Sequence, residues 1–341
     1  MASNLLELLP SQACLGASPP LHHPNVHLQH ASSPFSKRLH PSTSLVSSSP
    51  GRIICSASST RDLSSPTPYK PPSSRAEAIS QAKLCLSTAL QKPLSNSPPL
   101  PTRKLKKLRH PRYRVEIPVV DDSPGSLTQL ALDVFSDLSI RKKGGKPRLL
   151  ILWPSPAVAD SARQAFDSVD SIVNSDCASV TSESLSSADL AVFLAPEVSQ
   201  LDEMKAVTDC LYPRPVVLFN PKWGFEEEKD LGRAAESFVS SFEVVYSFMG
   251  LEVRGVLSKR RGVVLKCSRD GVVSGEGWAV MVEEEGNKEE LKMVTTFKRR
   301  PSIAEVENVL YNLMAANSPV TKSVKFFSDL VSNVTGRKAK K

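Results

Sequence analysis

Between residues 126 and 219 apolar positions fall into two alternating patterns. "RLLILW" (148–153), "DLAVFLA" (189–195) and "PVVLF" (215–219) are unbroken apolar runs of strand length, as expected of strands buried on both faces. Between them the spacing becomes helical. Leu127, Leu130, Ala131, Val134, Phe135 and Leu138 form one stripe, "SPAVADSARQAF" opens a helix with Ser155 as cap and Pro156 in its first turn, and "EVSQLDEMKAVTDCLY" supplies another. Such alternation predicts an α/β fold, a doubly wound parallel sheet of Rossmann-like or flavodoxin-like type covered on each side.

The flanks extend this picture. Ser74-Arg-Ala-Glu77 is a capping box, and Ile79, Ala82, Leu86, Ala89 and Leu90 continue it as an amphipathic helix that should end at the flexible stretch "KPLSNSPPLP". In "YRVEIPV" (113–119) Tyr113, Val115, Ile117 and Val119 alternate, which predicts a strand with one buried face. Beyond residue 226 a helix at about 229–240 gives way to short antiparallel strands: "FEVVYSF", "EVRGVLSK", "GVVLKC", "GWAVMVE" and "ELKMVTTF". Asp270-Gly271 and Glu285-Gly286-Asn287 read as their hairpin turns. A final helix opens through the capping box Ser302-Ile-Ala-Glu305 and carries Val306, Val309, Leu310 and Leu313 on one face. Three strands close on proline, at Trp153-Pro154, Ala195-Pro196 and Asn220-Pro221, and the residue before each proline is expected to be extended.

Composition divides the chain further. Residues 1–55 hold one acidic side chain, Glu7, three basic ones and five of the six histidines amid Ser and Pro, the composition of a chloroplast transit peptide with "RIICSA" resembling its processing site. Residues 56–72 form a Ser/Pro linker, 73–316 the α/β domain, and 317–341 a basic amphipathic helix or tail. The formal charge of +8 falls to +6 without the leader and to +2 without Arg337, Lys338, Lys340 and Lys341, so the folded part is nearly neutral and a nucleic-acid partner is not expected. No apolar run approaches the roughly 20 residues that span a bilayer.

The same division narrows the chemistry. His110 is the one histidine after residue 55, which excludes a two-histidine metal site. Cys85, Cys177, Cys210 and Cys267 are far apart without a Cys-x-x-Cys, so they read as core residues, with thiol regulation the alternative. "KKGGKP" (142–147) precedes a strand instead of following one, and no other glycine cradle for phosphate is present. Neither a metal nor a cofactor is expected. Ligands of doubly wound sheets sit beyond the carboxyl ends of the strands. That rule gathers Trp153, Ser155, Glu197, Asn220, Lys222 and Trp223 on one rim, either as a pocket for a phosphorylated ligand or as plain closure of the fold. Arg103, Lys104, Lys106, Lys107, Arg109 and Arg112 make a second candidate, a patch for an anionic partner or a solvated edge. In the C-terminal extension Val320, Val324, Phe327, Val331 and Val334 recur at helical spacing beside lysines, suited to an anionic membrane surface or to packing on the domain itself.

"PPSSRAEAISQA", "RYRVEIPV", "RPVVLFNPKWG", "FEVVYSF", Trp278 in "GWAV" and "RRPSIAEV", in this order over about residues 70–316, resemble a domain of unknown function of plant plastids and cyanobacteria. That domain occurs in the photosystem II assembly factor Low PSII Accumulation Three and is appended to a plastid adenylate kinase. The resemblance implies no catalytic residues, and kinase chemistry does not carry over because the phosphate-binding glycine loop is missing. The expectation is a non-catalytic chloroplast binding or assembly protein in the stroma or on the thylakoid surface. Its expected partner is a photosystem II subunit or assembly factor. The alternative is a small-molecule enzyme or sensor at the sheet rim.

Overall fold

The computed structural model describes residues 14–16, 71–95, 109–119, 121, 123–140, 142, 145–254, 259–268, 277–284 and 287–317. Ten strands form one sheet: β1 (Cys14–Gly16), β2 (Arg112–Glu116), β3 (Leu149–Trp153), β4 (Ile172–Asp176), β5 (Leu190–Leu194), β6 (Val216–Phe219), β7 (Glu243–Arg254), β8 (Lys259–Cys267), β9 (Trp278–Glu284) and β10 (Asn287–Phe297). Their order is β10-β9-β8-β7-β2-β6-β5-β3-β4, with β1 beside the far end of β7. From β7 to β4 all pairs are parallel, and β7 to β10 form an antiparallel meander.

The unbroken apolar strands bury both faces, as their sequence predicts. Leu149, Ile151 and Trp153 of β3 point to one face and Leu150 and Leu152 to the other; β5 and β6 divide their residues likewise. The first face is covered by α1 (Arg75–Ser95), α2 (Pro124–Phe135) and α3 (Pro156–Ala165). The second is covered by α4 (Ser182–Ser187), α5 (Leu201–Leu211) and α6 (Arg233–Val239) over the parallel half, and by α7 (Ile303–Asn317) over the meander. Right-handed crossovers explain the division. The chain moves one way along the sheet through β2, β3 and β4 and returns through β5, β6 and β7, so the helices change face where the direction reverses.

The capping box at Ser302 forms as expected, Glu305 N–H donating to Ser302 Oγ (3.2 Å) and Ser302 N–H to Glu305 Oε2 (2.9 Å). At α1 half of it forms: Glu77 N–H donates to Ser74 Oγ (3.2 Å), but the Glu77 carboxylate accepts from Ser73 N–H and Oγ (both 2.8 Å). Several boundaries differ. α1 continues through Lys92-Pro93 to Ser95, because Leu94 is buried and holds the last turn down. The strand expected at 242–248 continues to Arg254 as one strand, β7, with a bulge opposite Arg114 and Val115 that places both Val245 and Tyr246 in the first-face core; of the strand expected at 252–259, residues 252–254 belong to β7, 255–258 lie outside the described residues and Lys259 opens β8. The helix expected at about 229–240 is a 3₁₀ turn, Glu226–Asp230, followed by α6. Strand β4 has no apolar pattern to reveal it, since this edge strand carries Asn174, Ser175 and Asp176. The turn at Asp270-Gly271, residues 285–286 and the C-terminal extension from residue 318 lie outside the described residues.

Candidate functional site

Trp153, before Pro154, is extended as expected and ends β3, but the other two prolines close their strands by a different route. Ala195 and Asn220, the residues before Pro196 and Pro221, both have φ of 46°, in the left-handed region. Asparagine tolerates that region and alanine adopts it at an expense of about 1–2 kcal/mol. The turns are held because the loops bond sideways. Asn220 N–H donates to Val115 O (3.0 Å), Ala195 N–H to Phe219 O (2.8 Å), and Lys222 N–H to Pro196 O (3.0 Å).

Side chains extend this lacing along the rim in strand order. Beyond β2, Ile117 N–H donates to Asn220 Oδ1 (2.7 Å) while Asn220 Nδ2 donates to Ile117 O (2.9 Å), so the amide stands in for one more ladder residue. Next, Lys222 Nζ pairs with Glu197 Oε1 at 3.1 Å, linking the β6 and β5 loops. Gln200 receives the Glu197 N–H on Oε1 and sends its Nε2 to Pro154 O at 3.2 Å. That last bond bridges the β5 and β3 loops at the point where the chain reverses its direction along the sheet, the position where ligands of this architecture insert. Trp153 is fully buried under the first face and donates Nε1 to Asn174 Oδ1 (2.8 Å). Trp223 is buried in the second-face core with Phe238 and Phe242. Ser155 caps α3 by accepting from Val158 N–H. Of the six rim residues of the sequence reading, Lys222 is joined to Glu197, and Gln200 ties the Glu197 loop to Pro154, which lies between Trp153 and Ser155. Each of the six is engaged by core packing, a helix cap, an ion pair or a loop bond, and the two tryptophans lie on opposite faces.

The basic patch is only partly described, as Arg103, Lys104, Lys106 and Lys107 lie outside the described residues. Arg109 is exposed, whereas Arg112 donates to Ser241 Oγ (2.9 Å) and lies 5.5 Å from the Phe238 ring centroid. His110 donates Nε2–H to Arg214 O (2.7 Å) and packs edge-on against Tyr212; burial lowers its pKa, a neutral ring committed to structure. Arg214 in turn spreads over the end of α4, donating to the carbonyls of Leu185 (2.6 Å), Ser186 (3.2 Å) and Ala188 (2.5 Å). Among the described residues no three His, Cys, Asp or Glu are grouped to hold a metal.

A different site emerges on the second face. There the apolar clusters under α5–α6 and under α7 are separate, and the gap between them lies over β2 and the start of β7. In β2 the alternation that buries Val115 toward the first face turns Arg114 and Glu116 the other way. Arg114, 3% exposed, pairs through Nε with Glu116 Oε1 (2.7 Å) and through Nη1 with Glu228. Glu116 also accepts from Ser247 Oγ (2.5 Å) and from Arg300 Nη1 (2.9 Å). Burial by itself would raise the Glu116 pKa, but Arg114 and Arg300 overcome it and hold the carboxyl down at about 2. Arg300 lies 4.5 Å from the ring centroid of Phe225 and 5.2 Å from that of Trp278, and Lys266 Nζ is 5.7 Å from Trp278.

Around this network opens a recess of about 330 Å³, walled by Val239, Phe242 and Val244 and rimmed by Lys298 and Arg299. Five cations line it, Arg114, Lys266, Lys298, Arg299 and Arg300, against two carboxylates, Glu228 and Glu243. Sequence reasoning did not assemble this site. The signal was present in β2, a central strand that carries charge at 114 and 116 where its neighbour β6 is wholly apolar.

Many of the residues that meet here come from "RYRVEIPV", "FEVVYSF", "GWAV" and "RRPSIAEV", four of the segments that carry the resemblance. A family defined as a domain of unknown function, DUF1995, matches residues 72–308. The chain belongs to this DUF1995 family. No curated protein matches it. The matched region begins just before α1 and ends within α7, so the DUF1995 domain contains the laced rim, the ion network and the recess together.

Proposed function

We propose that this DUF1995 protein is a non-catalytic binding protein of the chloroplast that assists assembly of a photosynthetic membrane complex, photosystem II first among the candidates. The observation that carries the reading is the laced rim. Where a doubly wound sheet would place reactive groups, Asn220, Lys222, Glu197 and Gln200 bind one another's loops, and His110 is committed to a backbone carbonyl. A surface so arranged is suited to holding a partner. The leader-like composition of residues 1–55 supports the chloroplast, and the resemblance to the domain of Low PSII Accumulation Three supports the assembly role.

Contact with the thylakoid surface fits the C-terminal end. Tyr311 of α7 is 67% exposed, and α7 leads toward the basic extension whose valines and phenylalanine recur at helical spacing. The test is capture of partners from stroma and thylakoid fractions with the full chain, paired with deletion in the plant. Enrichment of photosystem II subunits or assembly factors, with lowered photosystem II on deletion, is the expected result. A chain that stays monomeric, touches no membrane and leaves photosystem levels unchanged would overturn the reading. The rim as a pocket for a phosphorylated ligand is the weaker alternative, because a ligand there would have to displace the Asn220 and Gln200 bonds.

A further inference from the structure

We propose that the recess between α6 and α7 is a binding site for a small phosphate monoester, such as a sugar phosphate or a nucleoside monophosphate. This goes beyond the assembly reading and stands on separate observations. The first is charge. Five lining cations face Glu228 and Glu243, and counting Glu116 beneath Arg114 and Arg300 and Glu305 paired with Arg299 leaves a surplus of one positive charge, which draws an anion into the recess. The second is preorganisation. Arg114 and Arg300 are both clamped by Glu116, and Arg300 is stacked between Phe225 and Trp278, so their orientation is set before any ligand arrives.

The third is the shape of the space. About 330 Å³ lies within the range of small-ligand sites and accommodates a phosphate with a compact organic group. Phe242, Val239 and Val244 offer that group an apolar wall. Selectivity over chloride and acetate follows from the number of acceptors: phosphate presents three oxygens to the guanidinium and ammonium donors, where chloride offers one atom and acetate two oxygens.

The test is titration of the full chain with inorganic phosphate, glucose 6-phosphate and AMP, with chloride and acetate as controls, followed by calorimetry and by tryptophan fluorescence, since Trp278 lies in the recess wall. The expected result is saturable binding of at least one phosphate monoester. Reversal of the exposed mouth cations, Lys298→Glu with Arg299→Glu, should weaken it about ten-fold or more at unchanged melting temperature. The rim substitution Lys222→Ala should leave it unchanged. The proposal is overturned by absence of binding to all three phosphate compounds at millimolar concentration, by binding indifferent to the double reversal, or by loss of binding on Lys222→Ala. A phosphoserine peptide that binds well above the small esters would overturn the ligand class. None of these outcomes depends on whether a partner protein is captured.

Discussion

Arg300 and Glu116 are 184 positions apart in sequence and share a 2.9 Å hydrogen bond that fastens the approach to α7 onto the central strand β2. Because Arg114 shares the same carboxylate, removing it would leave two guanidinium groups without their common partner. Glu116→Gln should therefore destabilise the fold by roughly 3 kcal/mol at neutral pH. Its pH dependence has a definite sign. The folded pKa of about 2 lies below the ordinary 4.5, so the carboxylate's contribution is complete above the ordinary value and is lost as pH falls through the folded one. Urea denaturation of both chains should show the difference between them shrinking progressively below about pH 4.5.

Asn220 combines a left-handed backbone with two side-chain bonds to Ile117. Asn220→Ala removes both bonds and retains the strained φ, so a loss of about 2–4 kcal/mol is expected. Asn220→Gly relieves the backbone part and should fall between alanine and the native chain. Guanidinium midpoints of the three proteins check the order.

Arg214 reaches three carbonyls at the end of α4 with one nitrogen, and Leu211 O with its Nε at 3.3 Å. An ammonium lacks the planar fork, so Arg214→Lys should destabilise by about 1–3 kcal/mol. Amide exchange over residues 182–188 should rise more than that over α5.

Thiol reactivity should separate Cys85, Cys177, Cys210 and Cys267. Cys210 is exposed, whereas Cys85 and Cys267 are buried with their sulfurs 3.4 Å apart. Burial first, then Asp176 and Glu203, push the Cys177 thiol up to about 12. Maleimide labelling at mildly alkaline pH, mapped by mass spectrometry, should modify Cys210 at once and the other three only on unfolding.

The apolar runs of β3, β5 and β6 announced a two-faced parallel sheet because each residue in them is needed by one core or the other. Strand order was not legible, since nothing in the periodicity says that β2 lies between β6 and β7. The strand ends themselves were legible from the prolines, but the roles of the residues beyond them follow from bonds between loops that no local pattern encodes. Asn220 illustrates this: its partner is Ile117, 103 residues earlier. The recess escaped for the same reason. Arg114 sits among the alternating residues of "YRVEIPV", and only the fold turns it inward onto Glu228.

The seat of α1 has a temporal consequence. Its stripe of Ala78, Ala82, Cys85 and Leu86 rests in the core that includes Tyr246 of β7 and Cys267 of β8, and Cys85 meets a residue 182 positions downstream. A polypeptide emerging amino end first, from a ribosome or through an import pore, presents this greasy helix long before its cradle exists. Until then the stripe is adhesive, which makes the nascent form a natural client of chaperones and makes early truncations prone to clump.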